Sequence, residues 1–177
     1  MLTIAYIIDW LSYIISEYIY VGVFIAALSE TVFTPIPTIV IFTFVGYIAF
    51  QNEFSLVELV LLGIIGGLGS TIGSLILYFF ALKLGTKTRL LKYLAISEKK
   101  LNLISKWIDK YGSIIVFICR LIPILREAVS IFAGIFKMKK IIFFVYTFLG
   151  SSILNIILLF IGYYFNGNFQ SFIKTYF

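Results

Sequence analysis

Four charged residues lie inside the apolar part of this sequence, where charge is costly to keep. Glu30 stands in one apolar run, and Arg120, Arg126 and Glu127 stand in another. Even on the mildest scale, a charged side chain at the middle of a membrane costs about 2.5–3.5 kcal/mol. Such residues are retained where they face one another or a polar cavity. If the two runs meet, Glu30 can pair with one of the arginines.

The chemistry that these residue types allow is the binding of an anion. With one arginine paired to Glu30, the other can accept a phosphate or carboxylate, which its planar fork fits. The alternative is a plain ion pair that holds the two runs together. We interpret Arg120, Arg126 and Glu30 as substrate-binding residues. Glu30 and Glu127 are the candidates for proton coupling, although a local salt bridge to Arg126 explains Glu127 better.

Prolines break both runs that carry these charges. Pro35 and Pro37 interrupt residues 21–50, and Pro123 interrupts residues 113–136. Proline removes a helical N–H and clashes with the preceding turn. In lipid, such a break is tolerated only where the backbone is buried in protein or lines a wet cavity. Both segments are therefore predicted to be re-entrant hairpins, broken at these prolines.

Two uninterrupted apolar stretches follow the broken ones. Residues 56–82 and 141–165 each exceed the roughly 20 residues that cross a bilayer. The chain thus repeats a broken segment followed by a spanning helix, which is the pattern of an internal repeat in a transporter. The predicted fold is an all-α membrane protein with an inverted repeat of two re-entrant hairpins plus spanning helices, preceded by an N-terminal amphipathic helix.

Composition agrees with a chain dissolved in lipid. Of the 177 residues, 62% are hydrophobic and 12% are charged. Soluble domains usually have about 45–50% apolar and about 25% charged residues. The length allows one compact domain and leaves no room for a separate catalytic module.

The net charge of +6 is unevenly distributed. Residues 1–82 contain five acids and no lysine or arginine, whereas residues 83–110 contain eight basic residues and two acids. Because cytoplasmic loops carry an excess of basic residues, the 83–112 loop is predicted to be cytoplasmic. The second hairpin would then open from inside and the first from outside. Nucleic acid is not expected as a partner, because the charge sits in loops between apolar spans.

The remaining segments are assigned by their periodicity. Residues 1–20 form an amphipathic helix that lies along the interface, with a tilted spanning helix as the alternative. Within the 83–112 loop, a helix after Ser97 places its lysines near anionic headgroups of the inner leaflet, or the lysines only set topology. The transmembrane domain covers residues 21–167, and residues 168–177 form a tail.

Signals for catalysis and for metal binding are missing from the sequence. Histidine is absent, and Cys119 stands alone in an apolar run, so no metal site and no cofactor are expected. The chain is predicted not to be an enzyme, and no removable signal peptide is expected, because Met1 is followed by no basic segment and no small-residue cleavage site. Asn155 lies inside the last span, where a packing hydrogen bond explains it at least as well as a ligand contact.

The motifs resemble those of the DedA family, whose common core is the VTT domain. Residues 120–126 read Arg-Leu-Ile-Pro-Ile-Leu-Arg, similar to the family's R-F-x-P-x-x-R. Glu30 with Pro35 and Pro37 resembles the E…P-x-P stretch. The resemblance covers residues 23–167, and its packing and motif residues are Gly69, Gly73, Tyr78, Gly112 and Gly134.

This resemblance implies translocation of lipid between leaflets, with a polyprenyl phosphate or a phospholipid as substrate. The family's essential residues are hairpin acids and two arginines, which correspond to Glu30, Arg120 and Arg126. One departure is that the family's second hairpin acid is absent, because Thr38 and Ile39 follow Pro37. Proton coupling would then need Glu127 as a substitute, whereas a passive scramblase would need no second acid.

We therefore predict a multi-pass protein of the cell membrane that acts as a lipid flippase or scramblase and binds a phosphate headgroup. A proton-coupled secondary transporter of small ions or solutes is the first alternative. A non-transporting scaffold that organises membrane through its basic surface helix is the second. Membrane lipids are the expected partners, and the sequence leaves homo-oligomerisation open.

Overall fold

The computed structural model of the protein describes residues 18–32, 37–84, 112–122 and 125–165. Within these ranges helices joined by short turns are the regular secondary structure and there is no strand, which confirms the all-α prediction. The six helices, in chain order, are α1 (Tyr18–Val32), α2 (Thr38–Gln51), α3 (Leu56–Leu84), α4 (Ile114–Leu121), α5 (Arg126–Ile135) and α6 (Lys140–Tyr164).

Helices α3 and α6 are the two long apolar helices that the sequence predicts. They contain 29 and 25 residues and are long and apolar enough to cross a membrane. Helix α3 starts at a capping box, in which Ser55 Oγ accepts a hydrogen bond from the Glu58 N–H. The Glu58 carboxylate in turn accepts bonds from the Ser55 N–H and hydroxyl at 2.7 Å. This start follows directly on the turn that ends α2.

Both predicted breaks separate two short helices. Pro37 is the N-cap of α2, and its backbone is extended with φ −61° and ψ 135°. Its carbonyl accepts the Val40 N–H at 2.9 Å and thereby closes the first turn. The second break lies between α4 and α5. Pro35 and Pro123 lie outside the described residues.

The first helix pair, α1 and α2, packs on both long helices. Gly69 of α3 admits the backbone of Phe24, and Gly73 admits the backbone of Leu28, four residues later on both helices. Helix α1 therefore runs parallel to α3. Helix α2 packs chiefly on α6, where the Leu159 backbone lies against Gly46.

The second helix pair packs on the other half of α3. Gly134 of α5 lies against the Tyr78 carbonyl, further along α3 than Gly73. The Tyr78 hydroxyl donates a hydrogen bond of 2.5 Å to the Met138 carbonyl, which fixes the chain after α5. Helix α4 packs instead on α6, where Gly150 makes room for the Arg120 side chain.

Two apolar clusters result. One contains residues of α1, α2, α3 and α6 and lies around Phe42 and Leu159. The other contains residues of α3, α4, α5 and α6 and lies around Tyr78 and Phe143. Large apolar side chains cover much of the outside; Val57 is 69% exposed and Ile141 is 79% exposed. An outer surface of this kind fits lipid better than water.

Several predictions concern segments outside the described residues. These are residues 1–17, the basic loop helix after Ser97 and the 168–177 tail. Residues 18–20, which the sequence assigns to the N-terminal amphipathic helix, belong to α1 in the structure. That the helix pairs are re-entrant and inverted in the membrane stays a prediction.

Candidate functional site

Glu30 and Arg126 form a buried ion pair between the two helix pairs. Glu30 lies in the last turn of α1, and Arg126 is the first residue of α5. The distance from Arg126 Nη2 to Glu30 Oε2 is 3.5 Å. The Arg126 side chain is 2% exposed and the Glu30 side chain is 6% exposed. Of the two arginines considered from the sequence, Arg126 is thus the one that contacts Glu30.

Thr38, the first residue of α2, bridges the pair. Its hydroxyl donates a 2.5 Å hydrogen bond to Glu30 Oε1 and accepts one from Arg126 Nη1. Pro37 fixes the start of α2 and so places Thr38 in its first turn. A buried carboxylate needs hydrogen-bond donors as well as a cation, and the Thr38 hydroxyl supplies one.

Ser70 brings the middle of α3 into the same cluster. Its hydroxyl is fully buried and accepts a 3.5 Å hydrogen bond from Arg126 Nη2. Ser70 follows Gly69, where α1 packs closely on α3. Residues of α1, α2, α3 and α5 therefore converge on the Arg126 guanidinium.

Arg120, the other arginine of the motif, lies in α4. It is fully buried in the last turn of α4, and its Nη2 donates a 2.7 Å hydrogen bond to Ser130 Oγ. Its guanidinium lies 5.9 Å from the centre of the Phe143 ring. Ser130 is four residues after Arg126 and shares its face of α5. Both guanidinium groups thus reach one face of α5, about one helical turn apart.

We call Glu30, Thr38, Ser70, Arg120, Arg126 and Ser130 the polar cluster. Among the side chains that the structure describes, the cluster has two guanidinium groups and one carboxylate. Two buried guanidinium groups in an apolar surround offer N–H donors that suit an anion. The residues with described side chains include no group of three His, Cys, Asp or Glu that could hold a metal ion.

The other predicted site residues have distinct positions. Gly69, Gly73 and Gly134 each lie where a neighbouring helix approaches closely. Gly112 has φ +60°, a left-handed conformation that favours glycine. The side chain of Glu127 lies outside what the structure describes, so its part in proton coupling stays a prediction.

Three members of the polar cluster were not singled out from the sequence as site residues. Thr38, Ser70 and Ser130 are hydroxyl residues within helices, and such residues often bond only to their own backbone. The positions of two of these residues in the sequence are a signal that could have identified them. Thr38 directly follows the proline of the break, and Ser130 lies one turn from Arg126.

Removing the Thr38 hydroxyl is expected to destabilise the protein. We expect Thr38→Val to lower the free energy of unfolding by about 1.5–3 kcal/mol, because hydrogen bonds to charged groups are of that size. Thr38→Ser should retain most of the stability. Thr43→Val is the matched control on the same helix, because the Thr43 hydroxyl bonds to its own backbone at Ile39.

Unfolding of the purified protein in mixed detergent micelles measures this effect. The control should stay within about 0.5 kcal/mol of the unmodified protein. Equal losses for Thr38→Val and Thr43→Val would show that the bridge between Glu30 and Arg126 adds no stability.

Comparison with known proteins places the chain in a family. The VTT domain model matches residues 34–164, which include most of the polar cluster. The chain is therefore a helical membrane protein that belongs to the VTT-domain family, the DedA family, as its two-arginine motif predicts.

Several relatives match this chain over most of their own length. It is 35% identical over 155 residues to Undecaprenyl phosphate transporter A of Staphylococcus aureus, covering 84% of this chain and 74% of that protein. The protein of the same name from Bacillus subtilis is 30% identical over 145 residues, covering 81% and 70%. A protein of Lactococcus lactis named "Alkaline phosphatase-like protein" is 35% identical over 156 residues, covering 84% and 72%. No solved structure matches the chain.

Proposed function

We propose that this chain transports a polyprenyl phosphate between the leaflets of the cell membrane and binds the phosphate headgroup with Arg126 and Arg120. One observation carries the proposal: two buried guanidinium groups reach one face of α5, about one helical turn apart. Two relatives of the chain are named as transporters of undecaprenyl phosphate, a lipid with this headgroup chemistry.

Arginine suits this task for a geometric reason. A guanidinium offers several N–H donors in a planar fork that matches the oxygens of a phosphate, and it stays charged when buried. A bound phosphate would compete with the Glu30 carboxylate for Arg126. Thr38 and Ser70, whose hydroxyls already bond to Arg126, would then be close enough to donate to the phosphate oxygens.

The two helix pairs would give this site access to both leaflets. Helix α1 contacts α3 at Gly69 and Gly73, and α5 contacts it further along at Tyr78. The two pairs meet at the polar cluster, because Arg126 of α5 bonds to Ser70 and pairs with Glu30 of α1. We propose that the pairs are re-entrant and inverted, the first opening outward and the second inward. A headgroup held at the cluster could then leave towards either side as one pair moves against the other.

Leaflet exchange tests this function. The purified protein is reconstituted in liposomes, and the transfer of a labelled polyprenyl phosphate from the outer leaflet is followed. Arg120→Lys and Arg126→Lys should each slow transfer about tenfold or more, because lysine keeps the charge but loses the two-point contact. Lys139→Gln, a change at an exposed cation, is the matched control.

The outcomes separate the candidate functions. Unchanged transfer in both arginine variants would contradict the proposed site. Transfer of a polyprenol without phosphate at the same rate would contradict recognition of the headgroup. A scaffold without transport activity would show no transfer above that of liposomes lacking protein.

A further inference from the structure

Helix α6 carries a row of buried polar residues that the proposed function does not use. Thr147, Ser151 and Asn155 are spaced by four residues and therefore share one face of the helix. Thr147 and Asn155 are fully buried, and Ser151 is 1% exposed. Ser152 lies next to this face and is 6% exposed. We call these four residues the α6 polar row.

The α6 polar row has unsatisfied hydrogen-bonding groups. In the part of the chain that the structure describes, no partner lies within hydrogen-bonding distance of Thr147 Oγ1, Ser151 Oγ, Ser152 Oγ or either polar atom of the Asn155 amide. The hydroxyl groups of the facing helix, α3, do have hydrogen-bond partners. On α3, the Thr71 hydroxyl donates to the Gly67 carbonyl and the Ser74 hydroxyl to the Ser70 carbonyl, each at 2.6 Å.

The row lies against the part of α3 that forms the polar cluster. Asn155 Nδ2 and the Phe42 ring both lie beside Gly66, and Ser152 lies beside Gly67. Ser70 is four residues after Gly66 and so lies about one helical turn from Asn155 on the same side of α3. Ser70 accepts the hydrogen bond from Arg126. The α6 polar row therefore lies next to the polar cluster.

Burying a polar group without any partner incurs its full desolvation cost, and buried polar groups in proteins are bonded to protein or to water. Four neighbouring side chains with five open polar atoms offer the two to four partners that an internal water needs. A metal cation is disfavoured, because the row has hydroxyl and amide groups but no carboxylate to bind one. Water satisfies donors and acceptors alike.

We propose that the α6 polar row binds a chain of internal water molecules along its face of α6, which extends the polar cluster along the protein interior. The helices touch directly where Gly67 meets Ser152 and where Gly63 meets Ile156, and the water lies beside these contacts. Bound water would also reduce the loss of hydration for an anion that enters the cluster. The water chain itself does not depend on which substrate is transported.

Radiolytic labelling tests the proposal. The full chain is placed in nanodiscs of zwitterionic lipid without any polyprenyl phosphate and exposed to short X-ray pulses in ¹⁸O-labelled water. Hydroxyl radicals formed from bound water oxidise the side chains beside it. Phe42, although fully buried, should take up ¹⁸O, because its ring lies beside Gly66 together with Asn155.

The variants give the expected contrast. Asn155→Leu removes both open atoms of the amide and should reduce Phe42 labelling by about fivefold or more, since the water loses its partners. Ser151→Ala is a milder second variant, for which a smaller decrease is expected. Leu159→Met, an apolar change at a fully buried position of the same helix, should leave the labelling unchanged.

Equal Phe42 labelling in the unmodified protein, Asn155→Leu and Ser151→Ala would overturn the proposal. A higher melting temperature of Asn155→Leu without any loss of label would do so as well, because it would show that the amide was buried dry. The assay contains no transported lipid. A negative result therefore leaves the proposed function untouched, and failure of transport leaves the water chain untouched.

Discussion

Replacing Arg126 with methionine is expected to lower the free energy of unfolding by about 3–5 kcal/mol, because it leaves a buried carboxylate without its cation. Glu30→Gln is also expected to lower the free energy of unfolding, because it removes the carboxylate that faces the buried Arg126 guanidinium. Both side chains are almost fully buried and lie 3.5 Å apart, so neither can recover by turning to solvent. Equilibrium unfolding in mixed detergent micelles gives the values.

The double variant is the informative member of this cycle. An apolar or neutral replacement of both partners often costs little, since desolvation of two charges offsets their attraction. The Glu30→Gln/Arg126→Met protein should therefore be more stable than the sum of the single losses implies. Additive losses, within about 0.5 kcal/mol, would show that the two side chains do not interact. Glu53→Gln, at an exposed turn, is the control.

Adding a methyl group at Gly162 is the second change with a large expected effect. A Cβ there would lie far inside van der Waals distance of the Thr43 backbone carbonyl of α2. A backbone group cannot turn aside as a flexible side chain can. We therefore expect Gly162→Ala to force α6 and α2 apart and to cost about 1–3 kcal/mol.

Gly22 provides a matched control of opposite sign. It lies within α1, and a Cβ at this position would meet no atom within 4 Å. Gly22→Ala should leave stability unchanged or raise it by up to about 1 kcal/mol, because alanine favours the helix. Thermal unfolding of both variants in the same detergent separates the two cases. A loss in Gly22→Ala as large as that in Gly162→Ala would refute close packing as the cause.

Features that depend on length and composition could be predicted from the sequence. Helices α3 and α6 follow from apolar stretches longer than a bilayer requires. The starting position of α2 follows from Pro37, which cannot continue a preceding helix. The convergence of Glu30 with an arginine follows from the cost of leaving either charge alone in lipid.

Features that depend on tertiary contacts could not be predicted. Arg120 and Arg126 lie in one segment with the same composition around them, so nothing in the sequence selects Arg126 as the partner of Glu30. The roles of Thr38 and Ser70 arise only when α2 and α3 meet α5. The sequence predicts a packing hydrogen bond or a ligand contact for Asn155, but in the described residues its amide has no hydrogen-bond partner.

The central claim is that Arg120 and Arg126 recognise a phosphate headgroup, and native mass spectrometry of the full chain tests it most directly. Undecaprenyl phosphate and undecaprenol are offered at equal concentration. We predict that the phosphate form binds about tenfold more tightly, a difference of about 1.4 kcal/mol, and that Arg120→Lys and Arg126→Lys reduce this preference while Lys139→Gln does not. Equal binding of the two lipids, or a preference that survives in both arginine variants, would contradict the account.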